Sequence, residues 1–234
     1  HISGLVVAGV HPSPVDYAHF TTTSTYKSGG PRGGLILMGR DFDQKIKVDG
    51  RERALWELVD KSTFPGLQGT PYFNNIAAKA VFFKEMLSAE YKTRQFKIVE
   101  NARALAKRLI DLGYDVVTGG TDNHMVVVNV ANSREDLTGI IAQKCLEECG
   151  IIVNMVEVPY EKRAAEIGSG IRLGTTTVTK RGMGAEQMVQ VAELIDSVLR
   201  KVEIISESEY EIDQSFSDQI RVRVKELCRR FGVR

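Results

Sequence analysis

The spacing of apolar residues changes near Asn74, and this change limits the fold more than any other feature of the chain. Before it, short apolar runs are bounded by glycine and proline, which is typical of strands rather than helices. Such runs stand at residues 5–9, 17–23 and 34–38. Their weak alternation predicts strands buried on both faces, as in the last strands of a large sheet. A short helix at 52–60 and a Gly/Pro-rich loop at 63–71 are predicted to follow.

A long helical passage is predicted after the change. Ile76, Ala80, Phe83 and Leu87 recur at helical spacing, and the pattern resumes after Ser88. Apolar residues at 102, 105, 109 and 112 then continue it until a glycine at 113. The sequence therefore predicts two helices joined near residue 88.

Alternating strands and helices are predicted beyond residue 113, which indicates a small α+β layer. The strands are expected at 114–117, 125–130, 151–153 and 171–173. Helices are expected at 136–149, around 188–198 and around 220–231. The acidic segment 203–213 between the last two helices is predicted to be a solvated linker.

Composition excludes several classes of protein. The 234 residues are 43% hydrophobic and 26% charged, and the formal net charge of +1 gives no field that favours nucleic acid or an anionic membrane. No apolar run approaches the roughly 18 residues of a membrane span, and no signal peptide is recognisable, so we expect a cytoplasmic protein. Three cysteines, at 145, 149 and 228, predict buried or idle thiols rather than a disulfide or metal site. Because the chain enters an apolar stretch directly at His1, we expect it to be the later part of a longer polypeptide.

The densest chemical cluster lies at residues 21–34, which we call the lysine loop. Five consecutive hydroxyl residues lead to Tyr26 and a single lysine, Lys27, and then to glycines that let the backbone pass close to another group. A lysine on a loop is usually solvated. At the end of a buried strand, however, desolvation can lower the pKa of a lysine, and its neutral amine can form a Schiff base with an aldehyde.

Six motifs in register resemble the serine hydroxymethyltransferase family. They are 1–5 (HISGL), the run ending in Lys27, 30–37 (GPRGGLIL), 64–69 (FPGLQG), 119–124 (GGTDNH) and 169–175 (SGIRLGT); the ending at 224–231 is also similar. The resemblance implies an α/β protein with the fold of type I pyridoxal-phosphate-dependent transferases. Residues 1–88 would form the end of the large cofactor-binding domain and its sheet, and 89–234 the α+β small C-terminal domain.

The resemblance also assigns the cofactor site. Lys27 stands where the family's lysine holds pyridoxal 5'-phosphate as a Schiff base and acts in catalysis. His1 resembles the histidine that approaches the ring oxygen of the cofactor, and Ser24 a hydroxyl residue beside it. Gly69 and Thr70 stand where a loop reaches the phosphate of the partner subunit, which implies a homodimer or a larger assembly.

Substrate binding is assigned in the same way. Arg172 resembles the arginine that binds the substrate carboxylate, a task that suits its planar pair of donors, although a structural ion pair is the alternative. Arg32, in the glycine motif, is assigned as a second substrate-binding residue. The segment 121–124 is expected to be a structural turn. The implied activity is the interconversion of serine and glycine with tetrahydrofolate as one-carbon carrier.

Four departures from the family pattern leave alternatives open. The aspartate that pairs with the pyridine nitrogen would lie three places before His1, so the missing N-terminal half of the protein is an expected partner of the chain. Tyr26 replaces a histidine, in a form that resembles enzymes acting on α-methylserine. Val156 replaces an asparagine on the folate side, and residues 165–169 differ from the family there as well. The alternatives are an α-methylserine hydroxymethyltransferase or related aldolase, and an inactive fragment or interaction module.

Overall fold

A computed structural model of the chain describes residues 1–232 and shows a mixed α/β protein. The fold divides into two compact units, the first covering His1–Gln95 and the second running from Phe96 onward. No helix within the described part of the chain is both long and apolar enough to span a membrane.

The first unit contains small antiparallel ribbons and helices. Its elements are α1 (Ser3–Val7), β1 (Phe20–Ser24), β2 (Gly34–Met38), β3 (Lys45–Val48), β4 (Arg51–Ala54), α2 (Leu55–Lys61), α3 (Phe73–Met86) and the first residues of α4 (Ala89–Asp111). Strand β1 pairs antiparallel with β2, and β3 pairs antiparallel with β4. The strand predicted at 34–38 is confirmed, and so is the interruption of the helical passage at Ser88.

The strand predicted around Leu5 is wrong, because this segment forms helix α1. Gly4, Leu5 and Ala8 are buried, a spacing that fits one side of a helix. Close packing explains the glycine at position 4, since a Cβ there would lie 2.7 Å from the hydroxyl oxygen of Tyr91. Apolar runs as short as this one do not distinguish the two structures by period.

The expected burial of the early strands on both faces is not observed. Within residues 1–232, β1 and β2 pair only with each other. Phe20, Ile36 and Leu37 remain 45%, 48% and 40% exposed. The helix predicted at 52–60 begins only at Leu55, after β4, and the predicted loop at 63–71 opens with a helical turn at Ser62–Leu67.

The second unit is the predicted α+β layer. Its elements after α4 are β5 (Asp115–Val116), β6 (Met125–Asn129), α5 (Val130–Ser133), α6 (Gly139–Glu148), β7 (Asn154–Val156), β8 (Gly170–Gly174), α7 (Thr176–Lys180), α8 (Ala185–Lys201), β9 (Glu203–Ile204), β10 (Tyr210–Glu211) and α9 (Gln214–Arg230). Four strands form an antiparallel sheet in the order β5-β6-β8-β7. The strand predicted at 151–153 is shifted, since β7 begins at Asn154.

One face of this sheet carries the core of the second unit. Val126 and Val128 of β6 and Ile171 of β8 are at most 1% exposed, and they belong to one apolar cluster with residues of α4, α6, α8 and α9. Because side chains alternate along a strand, Arg172 lies on the opposite face of β8.

The acidic segment 203–213 is not the predicted solvated linker. It forms the β9–β10 hairpin, and the Tyr210 hydroxyl donates a hydrogen bond of 3.0 Å to the Glu148 carboxylate. The Thr138 hydroxyl donates to the Glu207 carbonyl at 2.9 Å. The apolar positions Ile204, Tyr210 and Ile212 pack against the core, which the high charge of the segment concealed.

Candidate functional site

Lys27 lies in the helical turn Tyr26–Ser28 that follows β1, and the chain then returns through glycines to β2. Its side chain is exposed, so the desolvation that the sequence analysis considered is not supported by burial. No hydrogen bond or ion pair within residues 1–232 engages its amine. The ammonium nitrogen lies 5.9 Å from the centroid of the Tyr26 ring, within the range of a cation–π contact. The amine is therefore accessible to a ligand.

Arg32 approaches the same aromatic ring. Its guanidinium carbon lies 6.0 Å from the centroid of Tyr26, and the side chain is exposed. Tyr26 thus lies close to both cations of the lysine loop. This juxtaposition brings together two of the residues assigned from the sequence, Lys27 and Arg32.

His1 lies in the same unit as the lysine loop. His1 and Ser24 both line a mainly apolar cavity of about 480 Å³, whereas Lys27 does not. The Thr21 hydroxyl oxygen in this cavity is buried without a hydrogen-bond partner among the described residues.

Several contacts hold the lysine loop in its shape. The hydroxyl of Thr25, which is 3% exposed, donates toward the Pro31 and Gly33 carbonyls at 2.5 and 3.1 Å. Lys79 of α3 donates to the Gly34 carbonyl at 3.1 Å. The hydroxyl oxygens of Ser3 and Ser28 lie 2.7 Å apart. The backbone that carries Lys27 is thereby fixed from both sides of the turn.

Close neighbours on α3 explain why the lysine loop has glycine at positions 30 and 33. A Cβ at Gly30 would overlap the ring of Phe82, and one at Gly33 would lie 2.6 Å from the Lys79 ammonium nitrogen. The φ angle of Gly33, +151°, also favours glycine. The expectation that the backbone passes close to another group is confirmed. Sequence reasoning did not identify Lys79 or Phe82, because on a helix they look like ordinary surface and core positions.

Gly69 and Thr70 lie in an exposed loop of the same unit. A Cβ at Gly69 would meet nothing within 4 Å, and Thr70 has a φ angle of +48°. No hydrogen bond within the described chain connects either residue to the lysine loop. Their assignment to a partner's cofactor stays a prediction.

Arg172 lies in the second unit, on the central strand β8 and opposite Val127 of β6 and Asn154 of β7. The flanking Ile171 and Leu173 are 0% and 6% exposed, so the core side of the strand is occupied. The half-buried Arg172 side chain makes no hydrogen bond or ion pair with any residue in the range 1–232. The structural ion pair considered from the sequence is thus not seen, and the guanidinium is available to an anionic ligand.

The loop before β8 is closed by a carboxylate that sequence reasoning missed. Glu161 accepts hydrogen bonds from the backbone N–H and the hydroxyl of Ser169, both at 2.7 Å, and from the N–H groups of Lys162 and Arg163. Burial opposes ionisation of Glu161, but these bonds outweigh it and lower its pKa to about 2. The Arg163 guanidinium donates to the Ser169 hydroxyl at 2.9 Å. We call Glu161, Arg163 and Ser169 the Glu161 clasp.

The segment 121–124 forms the structural turn that the sequence predicted. The Asn123 side chain accepts from the Met125 N–H at 2.8 Å, and the Thr121 hydroxyl donates to the Met125 carbonyl at 2.6 Å. Asp122 pairs with Arg103 at the surface. These contacts fix the entry into β6.

The cysteines and other metal ligands form no reactive centre in the described chain. Burial raises the pKa of Cys145 to about 12 and that of Cys149 to about 11, so both remain thiols at neutral pH. Cys228 is half-buried, and all three cysteines are free. Among the residues that the structure describes, no three His, Cys, Asp or Glu side chains are grouped to hold a metal ion.

Comparison with known families identifies a family that matches most of the chain. The family model described as serine hydroxymethyltransferase matches residues 1–195. The matched range contains the lysine loop, the exposed loop at Gly69 and Thr70, and strand β8 with Arg172.

Proposed function

The chain belongs to the serine hydroxymethyltransferase family, and on that premise we propose that it acts in the exchange of a one-carbon unit between serine and glycine, with tetrahydrofolate as carrier. The observation that carries this proposal is the accessible amine of Lys27, which makes no hydrogen bond or ion pair within residues 1–232, on a loop held by Thr25 and Lys79. An amine without an internal partner is the group that an aldehyde cofactor requires.

The chemistry of the lysine loop supports pyridoxal phosphate as the cofactor. The Lys27 amine is exposed outside the apolar cavity, and His1 and Ser24 line that cavity together with the Thr21 hydroxyl, which has no hydrogen-bond partner among the described residues. Lys27 would hold the aldehyde carbon of the cofactor, and His1 and Ser24 would border its ring. When bound, pyridoxal phosphate supplies an electron-accepting ring that weakens the bonds at the α-carbon of an amino acid.

Substrate recognition is proposed for Arg172, with Arg32 as a second contact. A guanidinium binds a carboxylate through two parallel hydrogen bonds, which fix the direction of the α-carbon as well as its position. Fixing the amino acid in this way lowers the barrier because the reacting bond no longer has to find its orientation. The open guanidinium of Arg172 on the outer face of β8 supports this role.

We also propose that the protein works as a homodimer in the cytoplasm. The loop with Gly69 and Thr70 is flanked by Leu67, Tyr72 and Phe73, which are 90%, 75% and 74% exposed. Apolar side chains this exposed are typical of an interface between subunits. Gly69 and Thr70 would then contribute to the cofactor site of the partner.

A second candidate activity is a sister reaction on α-methylserine or a folate-independent aldol cleavage. The apolar Val156, half-buried on the edge strand β7, favours it, because this side chain offers no hydrogen bond to a folate ring. An inactive interaction module is less well supported, since neither Lys27 nor Arg172 has an ion-pair partner among residues 1–232.

Reductive trapping tests the role of Lys27 directly. The protein is incubated with pyridoxal phosphate, reduced with borohydride and digested, and the modified peptide is identified by mass spectrometry. We expect the label on Lys27 and its loss in Lys27→Ala, because this amine is accessible and the loop that carries it is held by Thr25 and Lys79. Lys45→Ala, an exposed lysine of the β3–β4 hairpin, is the matched control and should leave labelling at Lys27 unchanged. Labelling distributed evenly over surface lysines would contradict the assignment.

A further inference from the structure

The loop at 157–169 borders the face of β8 that presents Arg172. Gly170 and Arg172 are two residues apart on the strand, so their side-chain directions are the same. A Cβ at Gly170 would lie 2.6 Å from a methyl carbon of Val158. The Val158 side chain therefore packs over Gly170, on the face of β8 that also carries Arg172.

The Glu161 clasp holds both ends of this loop. The Glu161 carboxylate accepts from the N–H of Val158 at 3.4 Å near the start of the loop, and from the N–H and hydroxyl of Ser169 at its end. The Ser169 carbonyl in turn accepts from the Val130 N–H at 2.9 Å. Ser169, the residue immediately before β8, thus has its N–H, carbonyl and hydroxyl all engaged.

The Arg163 guanidinium of the clasp has further partners outside the loop. The Arg163 guanidinium donates to the Glu135 carbonyl at 3.0 Å and lies 4.0 Å from the Glu207 carboxylate. Arg163 is therefore engaged by Ser169, Glu135 and Glu207. The Arg172 guanidinium, by contrast, has no partner among residues 1–232, so nothing in its own contacts fixes its direction.

We propose that Glu161 is a positioning residue for substrate recognition. By fixing Val158 and Ser169, it holds the loop that packs beside Arg172 and the residue that precedes β8, and it thereby orients Arg172 toward a substrate carboxylate. This inference rests on the proposed function of Arg172. A strand between two neighbours keeps its register without the clasp, whereas the Glu161 carboxylate is the group that ties the N–H of Val158 to the N–H and hydroxyl of Ser169. Loss of the clasp should therefore weaken recognition of the carboxylate more than it weakens the fold.

The test compares two ligands that differ only at the carboxylate. Binding of glycine and of glycinamide to the cofactor-loaded protein is measured by titration, and the affinity ratio reports recognition of the carboxylate. In Glu161→Gln an amide replaces one acceptor oxygen and meets the Ser169 donors, so we expect the ratio to fall roughly tenfold. Glu148→Gln is the matched control, because it makes the same chemical change at the carboxylate that holds the β9–β10 hairpin.

A second readout and a second variant complete the experiment. Amide hydrogen exchange at Ser169 and β8 should quicken in Glu161→Gln, independently of any ligand. Ser169→Ala, which removes one hydroxyl and keeps the backbone bond, should shift the affinity ratio in the same direction by a smaller factor. A wild-type ratio in both variants would overturn the inference and leave the role of Arg172 intact. Equal binding of glycine and glycinamide by the wild-type protein would instead overturn the role of Arg172, and the inference with it.

Discussion

The surroundings of Arg172 favour the binding of an anionic ligand. A half-buried cation without a partner is unfavourable, since part of its hydration is lost and no ion pair replaces it. Lys27 is accessible in a different way, because it is exposed and its loop is held by other residues. The two assigned cations are thus open to ligands for separate physical reasons.

Substitution of Arg172 by lysine keeps the charge and removes the paired donor geometry. We expect the affinity for serine to fall by about 1.5–3 kcal/mol, the range of a hydrogen bond to a charged group, while cofactor binding hardly changes. Titration of the cofactor-loaded protein with serine measures the effect. The control is Arg223→Lys, at an exposed position of α9. An unaltered serine affinity in Arg172→Lys would remove Arg172 from the role.

At the scale of elements, hydrogen bonds from two arginines hold the last helix, α9, to the rest of the second unit. The Arg181 guanidinium donates to the Phe231 and Cys228 carbonyls at 2.6 and 2.7 Å, which satisfies the C-terminal end of α9. Arg221 of α9 donates to the Glu148 carbonyl at the end of α6. Helix α9 is therefore docked by charged hydrogen bonds as well as by Ile220 and Leu227.

Removal of the Arg181 side chain should weaken the attachment of α9 to the second unit. We expect Arg181→Ala to lower the free energy of unfolding by about 1.5–3 kcal/mol, because two carbonyls lose a charged donor. Urea denaturation measures the change, and hydrogen exchange should show it first in α9. Arg223→Ala, at an exposed position of α9, should leave the free energy of unfolding within about 0.5 kcal/mol of the wild-type value. Equal stabilities of the two variants would show that Arg181 is not an anchor of α9.

At the scale of the whole molecule, the proposed reaction combines amino-acid binding with folate dependence. The lysine loop and Arg172 carry cationic groups, whereas Val156 and residues 165–169 are the positions that the family resemblance places on the folate side. Measuring serine turnover with and without tetrahydrofolate separates folate dependence from amino-acid binding.

We expect serine cleavage to depend strongly on tetrahydrofolate. Val156 removes one polar contact, and the loss of a single hydrogen bond leaves most of a ligand's binding energy in place. Turnover of serine to glycine is measured with and without tetrahydrofolate, and α-methylserine is run beside it. Equal turnover in the absence of the folate would favour the aldolase, and faster turnover of α-methylserine would favour the sister transferase.

The sequence by itself determined the features that depend on neighbours along the chain. Helical spacing predicted α3, α4, α8 and α9, and glycine boundaries predicted β2, because periodicity and turn residues act locally. The lysine loop and its family resemblance were equally recognisable. In each case the residues that carry the signal lie close together in the chain.

Only the tertiary structure decided the features that depend on distant partners. Gly4 of helix α1 packs against Tyr91 of α4, and the Tyr210 hydroxyl of the acidic hairpin donates to Glu148, 62 residues away. In the sequence Glu161 looks like an ordinary surface carboxylate. Its role in closing the loop is visible only from its contact with Ser169 in the folded chain. Contacts of this kind leave no periodic trace, since they are set by shape and hydrogen bonding across the fold.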